Sequence, residues 1–315
     1  MLMCFLKKPL LQYMLKINIT GSSIMYDVVI IGRGPAGISA SLYTSRAGLK
    51  TLVVGKNDSA LRKAEKIDNY YGFSETISGE MLLREGEKQA LRFGVEIIED
   101  EVISIEKDAV FKLSTASNYY YSKAVLLATG QSRKKVSLDK MDMFEGRGIS
   151  YCSTCDGFFY RSLKVGVLGY KDYAIHEALE LEAYTSDITI YTNGMELELS
   201  EQFMEEASKF NVNHKPIKGV EGTEFLEKLI FKDGTEERLD GLFIAYGSAS
   251  SLDFARKLGI IIENDAIIVN KDQSTNLEGL YAAGDCTGGF KQIATAVGEG
   301  AIAGKNIIDY VRKLK

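Results

Sequence analysis

Histidine and cysteine are scarce: the 315-residue chain holds two of the first and four of the second. Four cysteines in a chain this long exclude a secreted scaffold stapled by disulfides. They favour a reducing cytosol, where a lone Cys-x-x-Cys is catalytic, so a cytoplasmic protein is expected. A zinc knuckle needs four ligands, usually a second Cys pair or two histidines at matching spacing. Cys4 and Cys286 lie far apart, and His176 and His214 have no ligand spacing, so no metal is expected. No segment reaches the roughly 20 apolar residues of a membrane helix. The net charge of -5, with no basic stripe, gives no sign of nucleic-acid binding.

What is present is the composition of an ordinary soluble globular protein, 45% apolar and 26% charged. A chain this long exceeds what one compact core serves, and two domains are expected. Residues 1–24 are set aside. Lys7, Lys8 and Lys16 break up their apolar residues, no small-residue cleavage site follows, and the fold signal begins only at Tyr26. This stretch is read as an extension, with Met25 an alternative start and an amphipathic docking arm the functional alternative.

The chain is organised around Ser150-Tyr151-Cys152-Ser153-Thr154-Cys155-Asp156-Gly157-Phe158-Phe159-Tyr160. Two cysteines separated by two residues can close a small disulfide ring, and a low-pKa thiolate in such a pair attacks a partner disulfide readily.

Tyr26 to Ile31 is an apolar, β-branched run, read as a buried parallel strand. It enters Gly32-Arg33-Gly34-Pro35-Ala36-Gly37 and then a helical stretch, Ile38 to Gly48. Strand, glycine turn and helix in that order make a dinucleotide fold. Gly32 permits the turn, Gly34 lets a pyrophosphate approach the backbone, and Gly37 lets helix and strand pack closely. The second strand, Leu49 to Val54, ends in Gly55 and Lys56 where an acidic ribose ligand is usual, leaving Asp58 as the nearest candidate. A helix over Gly79 to Gly94 and strands within Val95 to Leu127 lead to Ala128-Thr129-Gly130, where a glycine lets the chain cross close to a cofactor.

A second nucleotide-like unit begins at Lys164, with a strand over Val165 to Leu168, then Gly169-Tyr170-Lys171-Asp172-Tyr173-Ala174 and a helix from Ile175 to Ala183. This echo argues for two Rossmann-type domains. The echo is damaged, because Lys171 stands where the middle glycine would let a pyrophosphate in. After the strand Asp187 to Tyr191, the loop Thr192 to Glu198 has two acids and no basic residue, whereas an NADP 2'-phosphate wants arginines. Lys232-Asp233-Gly234 signals a hairpin. Beyond Ala245-Tyr246-Gly247 the chain is read as returning to the first domain. There a strand over Ala266 to Val269 is followed by Leu280-Tyr281-Ala282-Ala283-Gly284-Asp285, which presents a carboxylate to a sugar hydroxyl, and by a helix from Gln292 to Val311. The fold class is therefore α/β, with a discontinuous domain (25–132 and 250–315) and a second domain (133–249) inserted into it.

Taken together these residues resemble the low-molecular-weight thioredoxin reductase family of flavoproteins over nearly the whole chain from Met25. The matching motifs are Gly32-x-Gly34-Pro35-Ala36-Gly37, Ala128-Thr129-Gly130, Gly146-Arg147-Gly148, Cys152 to Tyr160, Ala283-Gly284-Asp285 and Gln292-Ile293-Ala294-Thr295-Ala296. The resemblance implies FAD in the first domain, with Asp285 near the ribityl chain and Lys291, Gln292 and Ile293 near the isoalloxazine. Asn69 fits a flavin-contact position, although Asp58 to Leu61 lacks the family's Gly-Gly-Gln. Cys155 matches the flavin-proximal sulfur, Cys152 the sulfur that attacks thioredoxin, and Asp156 the acid that handles protons. A homodimer is expected on the same ground. The resemblance also implies rotation of the inserted domain about linkers near Arg133 to Lys135 and Gly247 to Ser251.

Family members that use NADPH resemble Gly-Gly-Gly-x-x-Ala in the second unit and carry arginines in the next loop. Here Lys171 and the Thr192 to Glu198 loop depart from both. Each charge-assisted phosphate contact contributes roughly 1.5 to 3 kcal/mol, so losing all of them is hard to reconcile with useful NADPH affinity. The pattern looks like the pyridine-nucleotide-independent branch, in which reduced ferredoxin feeds FAD and the flavin reduces the Cys pair that reduces thioredoxin. The alternatives are an NADPH enzyme with a rebuilt site, a diflavin enzyme whose second FAD stacks on Tyr170 and Tyr173, and a flavoprotein redox sensor without turnover. His176 is read as a structural residue.

Overall fold

The computed structural model describes residues 25–131 and 136–314. The 1–24 extension and the expected linker Arg133 to Lys135 lie outside the described residues. Residues cluster into two units: the chain up to Gly130 together with Ile260–Lys315, and Gln131–Gly259.

The first unit opens with β1 (Met25–Ile31), a strand whose apolar residues are almost all buried. Pro35 stands at the first helical position of α1 (Pro35–Arg46), where its missing N–H costs no hydrogen bond. β2 (Thr51–Val54), α2 (Gly79–Arg92), β3 (Glu96–Ile98), β4 (Val102–Lys107), β5 (Phe111–Thr115) and β6 (Tyr119–Leu127) follow. The sheet order is β3-β2-β1-β6-β5-β4. β1, β2 and β3 run parallel to one another and to β6, while β4 and β5 form an antiparallel extension. β6 is nine residues long, and its two halves pair differently. Its first half takes β5, and its second half takes a strand from the far end of the chain, described below.

The second unit has β7 (Ile149–Ser150), α3 (Ser153–Asp156), β8 (Val165–Leu168), α4 (Asp172–Leu181), β9 (Ile188–Tyr191), α5 (Glu201–Ala207) and β10 (Asn211–Asn213). After these come β11 (Ile217–Gly222), β12 (Leu226–Phe231), β13 (Glu236–Arg238), β14 (Gly241–Ile244) and α6 (Ser251–Lys257). Its main sheet is parallel throughout, in the order β10-β9-β8-β14-β7. β11, β12 and β13 form a separate antiparallel sheet. Gly234, at φ 83°, makes the turn between β12 and β13, as the Lys232-Asp233-Gly234 signal predicts.

The chain then completes the first unit with β15 (Ile262–Glu263), β16 (Ala266–Ile267), β17 (Leu280–Ala282) and α7 (Ile293–Lys313). β17 is the strand that pairs parallel to the end of β6. α7 lies against α1, with Gly300 beside the Ala36 carbonyl and Gly304 beside Ala40, and Ser39 Oγ donates to the Val297 carbonyl at 2.8 Å. Val28, Ile30, Val53, Leu126, Ala303 and Ile307 centre this core. Burying each large aliphatic side chain contributes about 1.5 to 3 kcal/mol.

One boundary differs from the sequence reading. α6 was expected in the discontinuous domain and Gly247 to Ser251 as a linker, but both belong to the second unit, which runs to Gly259. The physical reason is the anchoring of α6: Phe254 is buried, and the Lys257 ammonium is buried against the Glu177 carboxylate of α4. A Ser250–Asp253 capping box starts this helix. Among the described residues no helix is long and apolar enough to cross a membrane.

Candidate active site

Three adjacent parallel strands of the first unit end together, and most of the expected cofactor residues sit at those carboxyl ends. β1 runs into Gly32, β6 into Ala128-Thr129-Gly130, and β17 into Ala283-Gly284-Asp285. Backbone bonds from Ala128 to the Ile31 carbonyl (2.8 Å) and from Ala283 to the Leu127 carbonyl (3.0 Å) lock the three ends in register. Ligands of open α/β sheets bind outside strand ends of this kind.

The glycines test whether FAD suits this place. Gly32 has φ +121°, and a Cβ there would collide with the Ala128 carbonyl, so it serves the fold itself. A Cβ at Gly34 would meet nothing within 4 Å. Gly34 has an ordinary φ of -82° and caps α1 without a side-chain hydrogen bond, so neither the fold nor the backbone demands glycine. A phosphate approaching the helix N-terminus does. The residues present fit the group.

At the flavin end, Asn69 Nδ2 donates to Gln292 Oε1 at 3.0 Å across 223 positions of sequence. Gln292 is the residue before Ile293, the first of α7, and Lys291 beside it is exposed. Asp285 is half-buried. Its turn is pinned by Glu299 of α7, whose carboxylate accepts from Gly284 N at 2.7 Å and Thr287 Oγ1 at 3.2 Å. Sequence reasoning missed Glu299. At the adenosine end Asp58 is exposed. The carboxylates gathered near the end of β2 are Glu87 and Glu99, bound by the half-buried Arg33 at 3.0 and 3.2 Å while its guanidinium also reaches the Gly55 carbonyl. Nothing local in the sequence marks these two acids, which come from α2 and from the residue after β3.

In the second unit Cys152 and Cys155 form a disulfide, with Cα atoms 5.3 Å apart. Cys152 caps α3, and its sulfur accepts from Cys155 N at 3.1 Å. A sulfur placed to accept a backbone N–H is favoured as a thiolate once the bond opens. Cys152 is buried and Cys155 exposed, with Cys155 Sγ 3.8 Å from the Arg256 carbonyl. Asp156 accepts from Ser150 Oγ at 2.7 Å, and Ser150 Oγ accepts from Cys152 N at 3.1 Å, so one serine links the acid to the turn.

Behind this turn stands Glu177. Its carboxylate accepts from Ser153 N (3.2 Å) and Ser153 Oγ (2.7 Å), pairs with Lys257, and lies 3.6 Å from His176 Nδ1. Burial alone would raise its pKa. The nearby His176 ring, the bonds from Lys257 and Ser153 and the Lys257 charge outweigh burial and bring it to about 2. Glu177 was missed in the sequence, yet Tyr173, Glu177 and Leu181 share one helical face at i, i+4 spacing, and a lone acid in a core stripe is a readable signal. His176 is half-buried beside the Glu177 and Glu180 carboxylates, in keeping with a structural residue.

The loop read as a damaged nucleotide turn folds on itself. Lys171 Nζ lies 2.7 Å from Glu198 Oε2, Glu198 N donates to the Tyr170 carbonyl at 2.8 Å, and Ser200 N donates to Asp172 Oδ1 at 2.8 Å. Tyr170 and Tyr173 are buried, 1% and 2% exposed. They are packing tyrosines, and the alternative that they stack on a second flavin finds no exposed ring here. Tyr170 packs edge-on against Tyr246 at 5.2 Å, and Tyr173 lies under the Lys257 ammonium at 5.8 Å.

Residues 26–300 match the family model described as pyridine nucleotide-disulphide oxidoreductase. A thioredoxin reductase of Listeria monocytogenes is 33% identical, over 92% of this chain and 95% of its own length. The chain belongs to the thioredoxin reductase family. The solved atypical thioredoxin reductase of Desulfovibrio vulgaris Hildenborough is 44% identical, with a TM-score of 0.88 over 91% of this chain and 98% of that one. A ferredoxin-flavin thioredoxin reductase of Clostridium acetobutylicum is 31% identical, with a TM-score of 0.68 over 92% of this chain and 99% of that one. Members of this family are FAD-dependent flavoproteins. The chain is a flavin disulfide oxidoreductase of this family, and its second unit carries the Cys152–Cys155 disulfide.

Proposed function

We propose that this thioredoxin reductase takes its electrons from reduced ferredoxin and passes them through the Cys152–Cys155 disulfide to thioredoxin. The observation that carries the reading is the Lys171–Glu198 pair at the position of the missing glycine. A lysine side chain stands where a pyrophosphate must approach, an acid from the next loop is bound to it, and that loop offers no arginine to a 2'-phosphate. The likeness to a ferredoxin-flavin enzyme supports the same reading.

Gly34, Pro35, Ala36 and Gly37, in the turn that Gly32 shapes, would hold the FAD pyrophosphate, Asp285 a sugar hydroxyl, and Asn69, Lys291, Gln292 and Ile293 the ring. Bound FAD supplies two electrons. With two protons these convert the disulfide into two thiols. Cys155 is the sulfur assigned to face the flavin and Cys152 the nucleophile. The Cys152 thiolate attacks the thioredoxin disulfide, forming a mixed disulfide and releasing one thioredoxin sulfur, which takes a proton. Cys155 then displaces the second thioredoxin sulfur and restores the Cys152–Cys155 bond. Asp156, which accepts from Ser150 Oγ, is assigned the proton transfers at the turn. Attack by Cys152 requires this buried sulfur to become accessible in the reduced protein.

Anaerobic turnover tests the donor. Thioredoxin thiols should accumulate with reduced ferredoxin and not with NADPH or NADH. Accumulation with a nicotinamide nucleotide at the ferredoxin-driven rate would reject the reading in favour of a rebuilt nucleotide site.

A further inference from the structure

The redox turn is tied to the body of its unit by a buried ion pair. Glu177 and Lys257 side chains are 2% and 8% exposed, and Glu177 takes both hydrogens that Ser153, the residue after Cys152, has to donate. His176 also faces this carboxylate, its Nδ1 3.6 Å from Glu177 Oε1, and the remaining charges around the turn have separate partners. Glu180 accepts from Thr154 Oγ1 at 3.1 Å and lies 4.0 Å from His176 Nε2, and Asp156 is bound by Ser150. On α6, Arg256 binds Asp253 at 3.3 Å and covers the Tyr151 ring at 5.0 Å. Asp253 also accepts from Ser250 N and Oγ, yet burial holds its carboxyl above the ordinary range.

A buried ion pair is seldom the most stable filling for a core site. Apolar residues of the same volume often do as well, whereas removing one partner leaves an uncompensated charge. Beside a thiol that charge has a chemical consequence, because an anion raises the thiol pKa and a cation lowers it.

We propose that Glu177 is the positioning residue of the redox turn and that Lys257, by balancing its charge, sets the acidity of the Cys152 thiol. This rests on Cys152–Cys155 being the working disulfide and is independent of the electron donor.

The test uses the full-length FAD-loaded protein, its disulfide opened with dithiothreitol. Iodoacetamide labelling of Cys152 is followed against pH by peptide mass. Glu177→Gln leaves the Lys257 cation unbalanced, and the labelling midpoint should fall by about one pH unit, roughly a tenfold gain in thiolate below it. Lys257→Met leaves the anion, and the midpoint should rise by a similar amount. The neutral pair Glu177→Gln with Lys257→Met should return to within about 0.3 unit of the parent. A purely structural role lowers the melting temperature without moving any midpoint. An unmoved midpoint in whichever single variant folds overturns the proposal. Inability of ferredoxin to drive turnover would leave it standing.

Discussion

Lys171, in the turn after β8, and Glu198, in the loop after β9, lie 2.7 Å apart from ammonium to carboxylate and are linked by a backbone bridge. The lysine occupies the glycine position of the turn, and the glutamate comes from the loop that would carry arginines. Lys171→Gly alone should gain little, because the loop remains acidic. Combined with Asn193→Arg and Glu198→Arg, it should tighten NADPH binding by at least about tenfold, since each charge-assisted contact contributes about 1.5 to 3 kcal/mol. Titration of the FAD-loaded protein with NADPH reads this directly. Ferredoxin-driven turnover should stay within about twofold of the parent.

The two glycines of the first turn should separate fold from cofactor. Gly34→Val is expected to fold with an unchanged melting temperature yet purify without yellow colour, its FAD affinity down by more than about tenfold. Gly32→Ala is expected to lose stability, because of its φ of +121° and the Ala128 carbonyl. Thermal melts and flavin content distinguish the two. Loss of stability at Gly34 would contradict its assignment to the cofactor.

Asn69→Ala removes one hydrogen bond to Gln292 at an exposed position. A loss of about 0.5 to 1.5 kcal/mol is expected. It should appear as a three- to tenfold weaker hold on FAD, by dialysis and flavin fluorescence, with stability nearly unchanged.

Much of this was legible in the sequence because local patterns carried it. Apolar runs ending in glycine turns marked β1, β8 and their helices, and Lys232-Asp233-Gly234 marked its hairpin. The expected cofactor residues Gly32, Ala128 to Gly130, Gly284 and Asp285 follow adjacent parallel strands, whose order the apolar runs and glycine turns made readable. What escaped depends on tertiary pairing. Glu87 and Glu99 meet Arg33 from two different elements, Glu299 pins Gly284 from across the unit, and α6 stays with the second unit because Lys257 is buried on Glu177. Tyr170 and Tyr173 were ambiguous for the same reason: side-chain burial, unlike strand order, is not written locally.

Glu177 should also leave its mark on acid stability. Its folded pKa of about 2 lies below its ordinary 4.5. The stabilisation it contributes is therefore complete above about pH 4.5 and is lost as pH falls towards 2. It amounts to about 3 kcal/mol. Urea melts between pH 6 and about 2 should show a steeper fall for the parent than for Glu177→Gln. Parallel curves would contradict an ionised Glu177.

Cys152→Ser should keep flavin reduction by ferredoxin and lose thioredoxin reduction, while Cys155→Ser should trap a mixed disulfide between Cys152 and thioredoxin. Stopped-flow flavin absorbance and non-reducing gels report the two outcomes. A mixed disulfide on Cys155 in the Cys152→Ser variant alone would reverse the assigned order.

The most direct test of the proposed electron donor is anaerobic rapid mixing of the FAD-loaded protein with NADPH, following the flavin absorbance band. The band should persist with NADPH over the time in which reduced ferredoxin bleaches it. Bleaching by NADPH within one turnover time would contradict the central claim.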